Sequence, residues 1–296
     1  MDTKLKKLVL VTVLLSAGFA NAQASSHCSQ CAEWNRPQKP FQIFANTYYV
    51  GTHGLSSILI TSSAGHVLID GDLPESAGQI ASNIRSLGFR VGDVKTILNS
   101  HVHFDHAGGI AKLQRMSGAR VLASNWSAAV LKKGSAARDD PQYGELPSIA
   151  AVQNVHDVRD GESFRVGGIV MTMHVTPGHT PGGTSWTWRS CEGAVCRSIV
   201  YADSLTPIAA QGFRFSDQRR HPAVSQDFEK SFAFLESSPC DILITPHPEV
   251  SRLWERLAAR EQGTRPDPMV NDRACRDLAE VGRQRLNERL LEEQKQ

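Results

Sequence analysis

The stretch LNSHVHFDHAGG, residues 98–109, constrains the fold of this chain more than any other part of the sequence. It places four side chains able to bind a metal, His101, His103, Asp105 and His106, within six positions. Neutral imidazoles donate lone pairs and a carboxylate supplies negative charge, the ligand mixture that a divalent metal such as zinc binds. Because so short a segment cannot readily turn all four groups onto one ion, the spacing predicts two neighbouring metals.

On an extended backbone the first two histidines and Asp105 would point to one side and His106 to the other. We therefore expect the two histidines to bind one metal, and Asp105 with His106 to bind the next. Two further histidines lie at loop tips after apolar strands, His179 in TPGHTPGG and His247 in TPHPEV. We expect His179 to complete the first site and His247 the second. Three protein ligands per metal leave positions open for water, as in catalytic zinc sites.

The first 22 residues have the pattern of an export signal, with lysines ahead of the apolar run LVLVTVLLSAGFA and a small-residue site ending at Ala22. Cleavage after Ala22 predicts a periplasmic protein that is free of the membrane; a retained N-terminal anchor is the alternative. Removing residues 1–22 takes three lysines and one aspartate from the 32 basic and 30 acidic residues, leaving 29 of each. No large basic field remains, which argues against a nucleic-acid partner.

The six cysteines of an exported chain are expected to form disulfides, because the compartment is oxidising. For the CSQC motif a local disulfide is preferred, while a disordered tail or a metal knuckle beside His27 are the alternatives. The pair bracketing EGAV could close a hairpin tip, and another could tie a C-terminal helix to a sheet. The predicted pairs are Cys191–Cys196, Cys240–Cys275 and Cys28–Cys31.

The order of apolar patterns predicts an α/β fold. Residues 23–40 are polar and are expected to form an N-terminal arm, and residues 41–296 a single domain. Strand patterns come first and then alternate with helical patterns, twice, which suits two sheets covered by helices on their outer faces. Residues 134–150 form a long stretch with proline and glycine, a kind of loop that is often functional.

The motifs HVHFDH, TPGHT and PHP, in this order, resemble the metallo-β-lactamase superfamily. TPGHTPGGTSWTW and YADSLT are more specific and resemble its subclass B3, and the resemblance extends from about Phe41 to the C-terminal helix. It implies a four-layer αββα sandwich with two Zn²⁺ between the sheets. The implied ligands are His101, His103 and His179 for the first zinc, and Asp105, His106 and His247 for the second.

The same resemblance implies the activity: zinc-dependent hydrolysis of the β-lactam amide bond by a hydroxide bridging the metals, conferring resistance to β-lactam antibiotics including carbapenems. Asp105 would be both a ligand and the residue that orients the hydroxide and accepts its proton. Ser204 and Thr206 would hold the substrate carboxylate, and Gln142 would border the substrate or simply face solvent. Asp70 is a candidate acceptor for a ligand imidazole N–H, with a purely structural hydrogen bond as the alternative.

Asp203, in YADSLT, bears on the competing functions. Thioester or lactone hydrolases of the superfamily, such as glyoxalase II, use an aspartate in this setting to bridge both metals, whereas subclass B3 implies that Asp203 lies outside the metal ligands. The export signal, the disulfide-type cysteines and the TSWTW strand favour the lactamase. A non-catalytic zinc-binding periplasmic protein is the alternative from another class. The expected partner is a small-molecule β-lactam, and the expected assembly is a monomer.

Overall fold

The computed structural model describes residues 28–295, and its first layer of strands is a seven-stranded mixed sheet. The predicted export signal and residues 23–27 of the arm lie outside the described residues. The strands follow one another in chain order: β1 (Phe41–Phe44), β2 (Thr47–Tyr49), β3 (Ile58–Ile60), β4 (His66–Ile69), β5 (Val94–Leu98), β6 (Arg120–Ala123) and β7 (Val155–Asp157). Pairing is antiparallel from β1 to β4 and parallel from β4 to β7.

A second sheet has five strands in the order β12-β11-β10-β9-β8. Its strands are β8 (Ser163–Val166), β9 (Ile169–Val175), β10 (Thr184–Glu192), β11 (Val195–Tyr201) and β12 (Ile242–Ile244). The first four form an antiparallel meander, and β12 pairs in parallel with β11. Parallel pairs place the carboxyl ends of their strands at one edge of a sheet, which is where loops of layered α/β folds carry their functional groups.

The helices are α1 (Cys31–Trp34), α2 (Ala77–Ser86), α3 (Phe104–Ala107), α4 (Ile110–Ser117), α5 (Asn125–Lys133), α6 (Val224–Ser237), α7 (Leu253–Glu261) and α8 (Ala274–Gln294), with a 3₁₀ turn at Val91–Asp93. In the described part of the chain, none of these helices is both long and apolar enough to cross a bilayer.

Three apolar cores show how the layers stack. Alternate residues of the first sheet point to opposite faces, so Leu59 packs toward α2, α4 and α5 while its neighbours Ile58 and Ile60 pack toward the second sheet. The other face of the second sheet packs on α6 and α8, for example through Val200 and Phe232. Helix, sheet, sheet and helix therefore form four layers, and the predicted αββα sandwich is confirmed.

Two hydrogen bonds join the sheets where β5 ends and β10 begins. The backbone N–H of Thr184 donates to the carbonyl oxygen of Ser100 at 2.8 Å. The indole N–H of Trp186 donates to the carbonyl oxygen of Asn99 at 3.0 Å. Residues 99–103, which follow β5, are thereby fixed against the segment that carries TPGHTPGG. For this reason His101 and His103 lie close to His179, although they are far from it in the sequence.

The structure contains the three predicted disulfides. The Cys191–Cys196 bond joins β10 to β11 at the end of their hairpin. The Cys240–Cys275 bond joins Cys240, just before β12, to Cys275 in α8. The Cys28–Cys31 bond closes the turn that leads into α1. The C-terminal helix is therefore covalently tied to the segment that enters β12, as the spacing predicted.

Candidate metal centre

The backbone through the histidine motif differs from the extended segment that the sequence predicted. It is extended only up to His103, and residues 104–107 then form the single helical turn α3. The two glycines after this turn permit it, because a Cβ at Gly109 would collide with the carbonyl oxygen of Gly71. Asp105 and His106 are thus successive positions on a helical turn and not opposite faces of a strand. The expectation of an extended backbone through Asp105 is wrong.

His101, His103 and His179 form the first cluster. Their candidate ligand atoms all lie within 4.8 Å of one another. The ring centroids are 4.7 to 4.9 Å apart, and all three residues are buried. The structure therefore brings together the three histidines that were expected to share the first metal.

Each imidazole of this cluster uses its outward ring nitrogen for a hydrogen bond to an oxygen. That bond fixes the tautomer, so the other nitrogen of each ring carries a lone pair that is available to a metal. The available atoms are Nε2 of His101, Nδ1 of His103 and Nε2 of His179. The bonds run from His101 Nδ1 to Asp203 Oδ1 at 2.7 Å, from His103 Nε2 to Asp140 Oδ2 at 3.2 Å, and from His179 Nδ1 to the Thr206 carbonyl oxygen at 2.8 Å.

Asp105, His106 and His247 form the second cluster, next to the first. Asp105 Oδ2 lies 3.2 Å from His106 Nε2 and 3.5 Å from His247 Nε2. The His106 ring is 4.4 Å from that of His101, so the clusters adjoin at these two residues. His247 is the partly exposed member, with 22% of its side chain accessible, and it marks the solvent side of the site.

The donor set fits zinc. Two ligand atoms on a tetrahedral zinc with bonds of about 2.0–2.1 Å lie about 3.3 Å apart, close to the separations of Asp105 Oδ2 from its two histidine partners. His106 is fully buried; its Nε2 faces Asp105 Oδ2 at 3.2 Å without the alignment of a good hydrogen bond, and its Nδ1 has no hydrogen-bond partner among the described residues. An unsatisfied buried polar group costs about 1–3 kcal/mol, which coordination to a metal would remove.

Burial and neighbouring charges set the protonation states of four of the six candidate ligands. Burial, helped by the adjacent imidazoles, lowers the pKa of His101 well below its usual value and that of His179 to about 3, so both are neutral. Burial would lower the pKa of His106 too, but the Asp105 carboxylate overcomes this and raises it to about 9. Burial would raise the pKa of Asp105, yet the charge of His106 holds it well below its usual value.

Asp70 does not have the predicted role. It accepts hydrogen bonds from the backbone N–H of Ser100 at 2.8 Å, the hydroxyl of Ser100 at 2.6 Å and the hydroxyl of Tyr201 at 2.8 Å, but from no ligand imidazole in the described chain. Asp70 directly follows β4, which lies beside β5, so its carboxylate reaches the residue before His101 and not the ring itself. Asp203 takes the imidazole N–H instead. Burial raises the pKa of both carboxyls to about 6.

Two residues at the site were missed by the sequence reasoning. Asp140, 2% exposed, bonds to the outer nitrogen of His103, and its burial inside a polar loop could not be seen in the sequence. Trp34, in α1, packs its ring against His247 with centroids 5.2 Å apart. The only hint of this contact in the sequence is the position of Trp34, three residues after the CSQC motif.

The expected substrate-binding residues lie on two loops that flank the clusters. Ser204 and Thr206 are partly exposed and follow Asp203 directly. Gln142, also partly exposed, donates its backbone N–H to Asp140 Oδ1 at 2.8 Å. The loops are joined to each other, since the N–H of Ala210 donates to the carbonyl oxygen of Pro141 at 2.8 Å. The contacts of these three residues with a substrate stay predictions.

Comparison with known proteins agrees with this geometry. A model of the metallo-beta-lactamase superfamily matches residues 50–247. The solved structure of the Rm3 metallo-beta-lactamase is 52% identical, with a TM-score of 0.88 over 91% of this chain and 99% of that chain. MEM-A1, a subclass B3 metallo-beta-lactamase isolated from a soil metagenome library, is 50% identical, with a TM-score of 0.86 over 88% of this chain and 99% of that chain.

A curated hydroxyacylglutathione hydrolase from Methylobacterium nodulans is 35% identical over 108 residues, which is 36% of this chain. The chain spans only 33–41% of the length of this and the next two curated relatives that it matches. The long family match and the near-complete structural superpositions therefore decide the relationship. The chain belongs to the metallo-β-lactamase superfamily and, within it, to subclass B3, a family of metal-dependent hydrolases.

Proposed function

We propose that this protein hydrolyses the amide bond of β-lactam antibiotics, carbapenems among them, with two zinc ions as cofactors, and so confers resistance to these compounds. The observation that carries the proposal is the pair of adjoining clusters, each with three inward ligand groups. His101, His103 and His179 would hold one ion, and Asp105, His106 and His247 the other. Bound zinc lowers the pKa of water toward neutrality and polarises a carbonyl oxygen.

The protein's own residues would orient the metal ligands and exclude bulk water from most of the site. Asp203, Asp140 and the Thr206 carbonyl hold three imidazoles in one tautomer, so the lone pairs point inward before a substrate arrives. Asp105 is 7% exposed and keeps its carboxylate charged beside His106. Its carboxylate would also orient an attacking water and accept its proton. The burial of most ligands limits bulk water to the His247 side.

Substrate binding would use the side chains on the two flanking loops. A β-lactam carries a carboxylate next to its scissile ring, and the hydroxyls of Ser204 and Thr206 are suited to donate hydrogen bonds to it. Gln142 would border the ring from the other loop. The proposed location of the reaction is the periplasm, after removal of residues 1–22.

Steady-state hydrolysis by purified residues 23–296 tests the proposal. A carbapenem, a cephalosporin and a penicillin are assayed before and after dialysis against a chelator, and again after adding zinc. We expect lactam turnover that the chelator abolishes and zinc restores. Zinc-loaded protein that leaves all three lactams intact would contradict the proposal, and two bound zincs without turnover would favour the non-catalytic alternative.

Thioester hydrolysis is the second candidate, because the curated relatives include hydroxyacylglutathione hydrolases and YADSLT retains an aspartate. Asp203 Oδ1 is engaged by His101 Nδ1, on the side of the ring away from its free nitrogen. An aspartate placed there supports an imidazole, which favours the lactamase over a metal-bridging role for Asp203. A glutathione thioester in the same assay decides between them: thioester turnover with inert lactams would favour the second candidate.

A further inference from the structure

The most deeply buried glutamate of the described chain is Glu293, in the last turn of α8, with 3% of its surface exposed. Glutamate is almost never buried to this extent unless it is paired. One of its partners is on the same helix, where Arg289 Nε donates to Glu293 Oε1 at 2.8 Å. Its other hydrogen-bond partners lie outside α8, and they show which segment of the chain the buried carboxylate holds in place.

Glu293 binds the end of a long irregular segment. Its Oε1 accepts the backbone N–H of Phe215 at 3.1 Å, and its Oε2 accepts the backbone N–H of Ser216 at 2.8 Å. The guanidinium of Arg214 donates to the carbonyl oxygen of Glu293. Three successive residues are thus fixed by one residue of α8, and hydrogen bonds to a charged carboxylate are among the stronger ones in proteins.

The segment fixed in this way, residues 203–217, begins at the candidate metal centre, where Asp203 contacts the imidazole of His101. It contains no helix or strand, so no ladder of backbone hydrogen bonds sets its position. Near its start, Thr206 holds the imidazole of His179. In its middle, the N–H of Gln211 donates to Glu145 Oε1 at 2.7 Å, which joins it to the 134–150 loop. Its far end is held by Glu293.

We propose that Glu293 is a positioning residue for substrate binding: by fixing residues 214–216, it sets where residues 207–213 stand against the 134–150 loop, which they contact at Pro141 and Glu145. The inference rests on the proposed function, because Gln142 of that loop is expected to border the β-lactam ring. The ligand end of the segment is fixed separately through Asp203 and Thr206. Loss of the Glu293 contacts therefore loosens residues 207–217 more than the metal centre.

The variant Glu293→Gln tests this. The side chain keeps nearly the same shape, but its amide nitrogen cannot accept one of the two backbone N–H groups. We expect KM for a penicillin or cephalosporin to rise about fivefold, while kcat stays within about twofold, since uniform binding is lost and not transition-state stabilisation. Amide hydrogen exchange should become faster in residues 205–217, and zinc content should remain that of the parent protein. Arg289→Gln, a milder change, should shift KM and exchange in the same direction.

The matched control is Glu236→Gln. It removes the exposed ion pair between Glu236 on α6 and Arg283 on α8, at 2.6 Å, and leaves residues 203–217 untouched. We expect parental KM and exchange for this variant. Parental KM and parental exchange in Glu293→Gln, or an equal KM rise in Glu236→Gln, would overturn the proposal and leave Glu293 a purely structural group. An inactive parent with faster exchange in Glu293→Gln only would reject the lactamase function while supporting the positioning of the segment.

Discussion

At the scale of single residues, the hydrogen bonds behind the ligand imidazoles organise the metal centre. Asp140 illustrates this, because its two oxygens have separate tasks: Oδ2 accepts from His103 Nε2 and Oδ1 accepts from the backbone N–H of Gln142. An asparagine could serve only one of these donors. Partners of this kind orient a ligand ring and raise its basicity, so their loss weakens metal binding.

We predict that Asp140→Asn lowers zinc affinity about 10- to 100-fold, the usual effect of removing such a partner. Competition with a chromophoric chelator measures the affinity. Asp139→Asn is the matched control, because Asp139 is exposed and accepts from the indole of Trp126 at 2.9 Å. Equal zinc affinity in the two variants would mean that Asp140 does not support His103.

His106 leads to a prediction on pH. Its pKa is raised to about 9 in the metal-free protein, mainly because Asp105 opposes the effect of burial. The pair therefore contributes stability that is fully present below the ordinary histidine pKa of about 6.5 and is lost as pH rises through about 9. Since zinc binds only the neutral ring, binding must release this proton.

We predict that zinc binding at pH 7.5 releases a proton from His106, and that zinc affinity rises with pH between about 6.5 and 9. Calorimetric titrations in buffers of different ionisation enthalpy count the protons. In His106→Asn the release should fall by about one proton relative to the parent. An unchanged proton count in this variant would show that the released proton comes from another group.

At the scale of elements, short irregular segments place the ligands, and the longer helices support them. The α3 turn sets Asp105 and His106, and α1 sets Trp34 against His247. The backbone N–H of Gly54 donates to the carbonyl oxygen of Trp34 at 3.1 Å, and the Cys28–Cys31 disulfide closes the turn before α1. The arm is thus tied to the domain by a backbone hydrogen bond at Trp34, near the partly exposed ligand, and the disulfide stabilises the turn that precedes it.

We predict that Trp34→Ala weakens zinc binding at the His247 cluster about three- to tenfold, because an aromatic pair is worth about 0.5–1.5 kcal/mol. Stepwise zinc titration, with cobalt absorption spectra as a second signal, measures the two sites separately. Trp34→Phe keeps a ring beside His247 and should stay close to the parent. A loss confined to the first cluster would contradict the assignment of Trp34 to His247.

At the scale of the whole molecule, the fold keeps several ionisable groups out of water at one edge of the sandwich. Four of the ligand histidines and the carboxyls of Asp70, Asp72 and Asp203 are buried there. Such groups oppose folding until they are paired or bound to a metal. The centre should therefore be a large part of the protein's stability when zinc is bound.

We predict that removing zinc lowers the melting temperature, and that free zinc at about 1,000 times its dissociation constant stabilises the metal-free protein by about 4 kcal/mol. Differential scanning calorimetry on chelated and reloaded protein measures this. Calcium, which prefers oxygen ligands, serves as the control and should restore little. Equal melting temperatures with and without zinc would mean that zinc binding does not contribute to the stability of the fold.

The sequence by itself predicted the six candidate ligands and their division into two sets, because the HVHFDH spacing and the two histidines at loop tips are visible as local patterns. It also determined the layered α/β architecture, since apolar periodicity reports which faces are buried. Asp70 shows the limit: a carboxylate at a strand end was recognisable, but its partner depended on how β4 sits beside β5.

The tertiary structure alone decided which groups stand behind the ligands. Asp140 and Asp203 reach His103 and His101 across 37 and 102 residues of chain, and Glu293 reaches Ser216 across 77. Contacts over such separations arise when sheets and helices pack, and no local pattern encodes them. The helical turn at α3 was decided in the same way, by the close approach of Gly109 to Gly71.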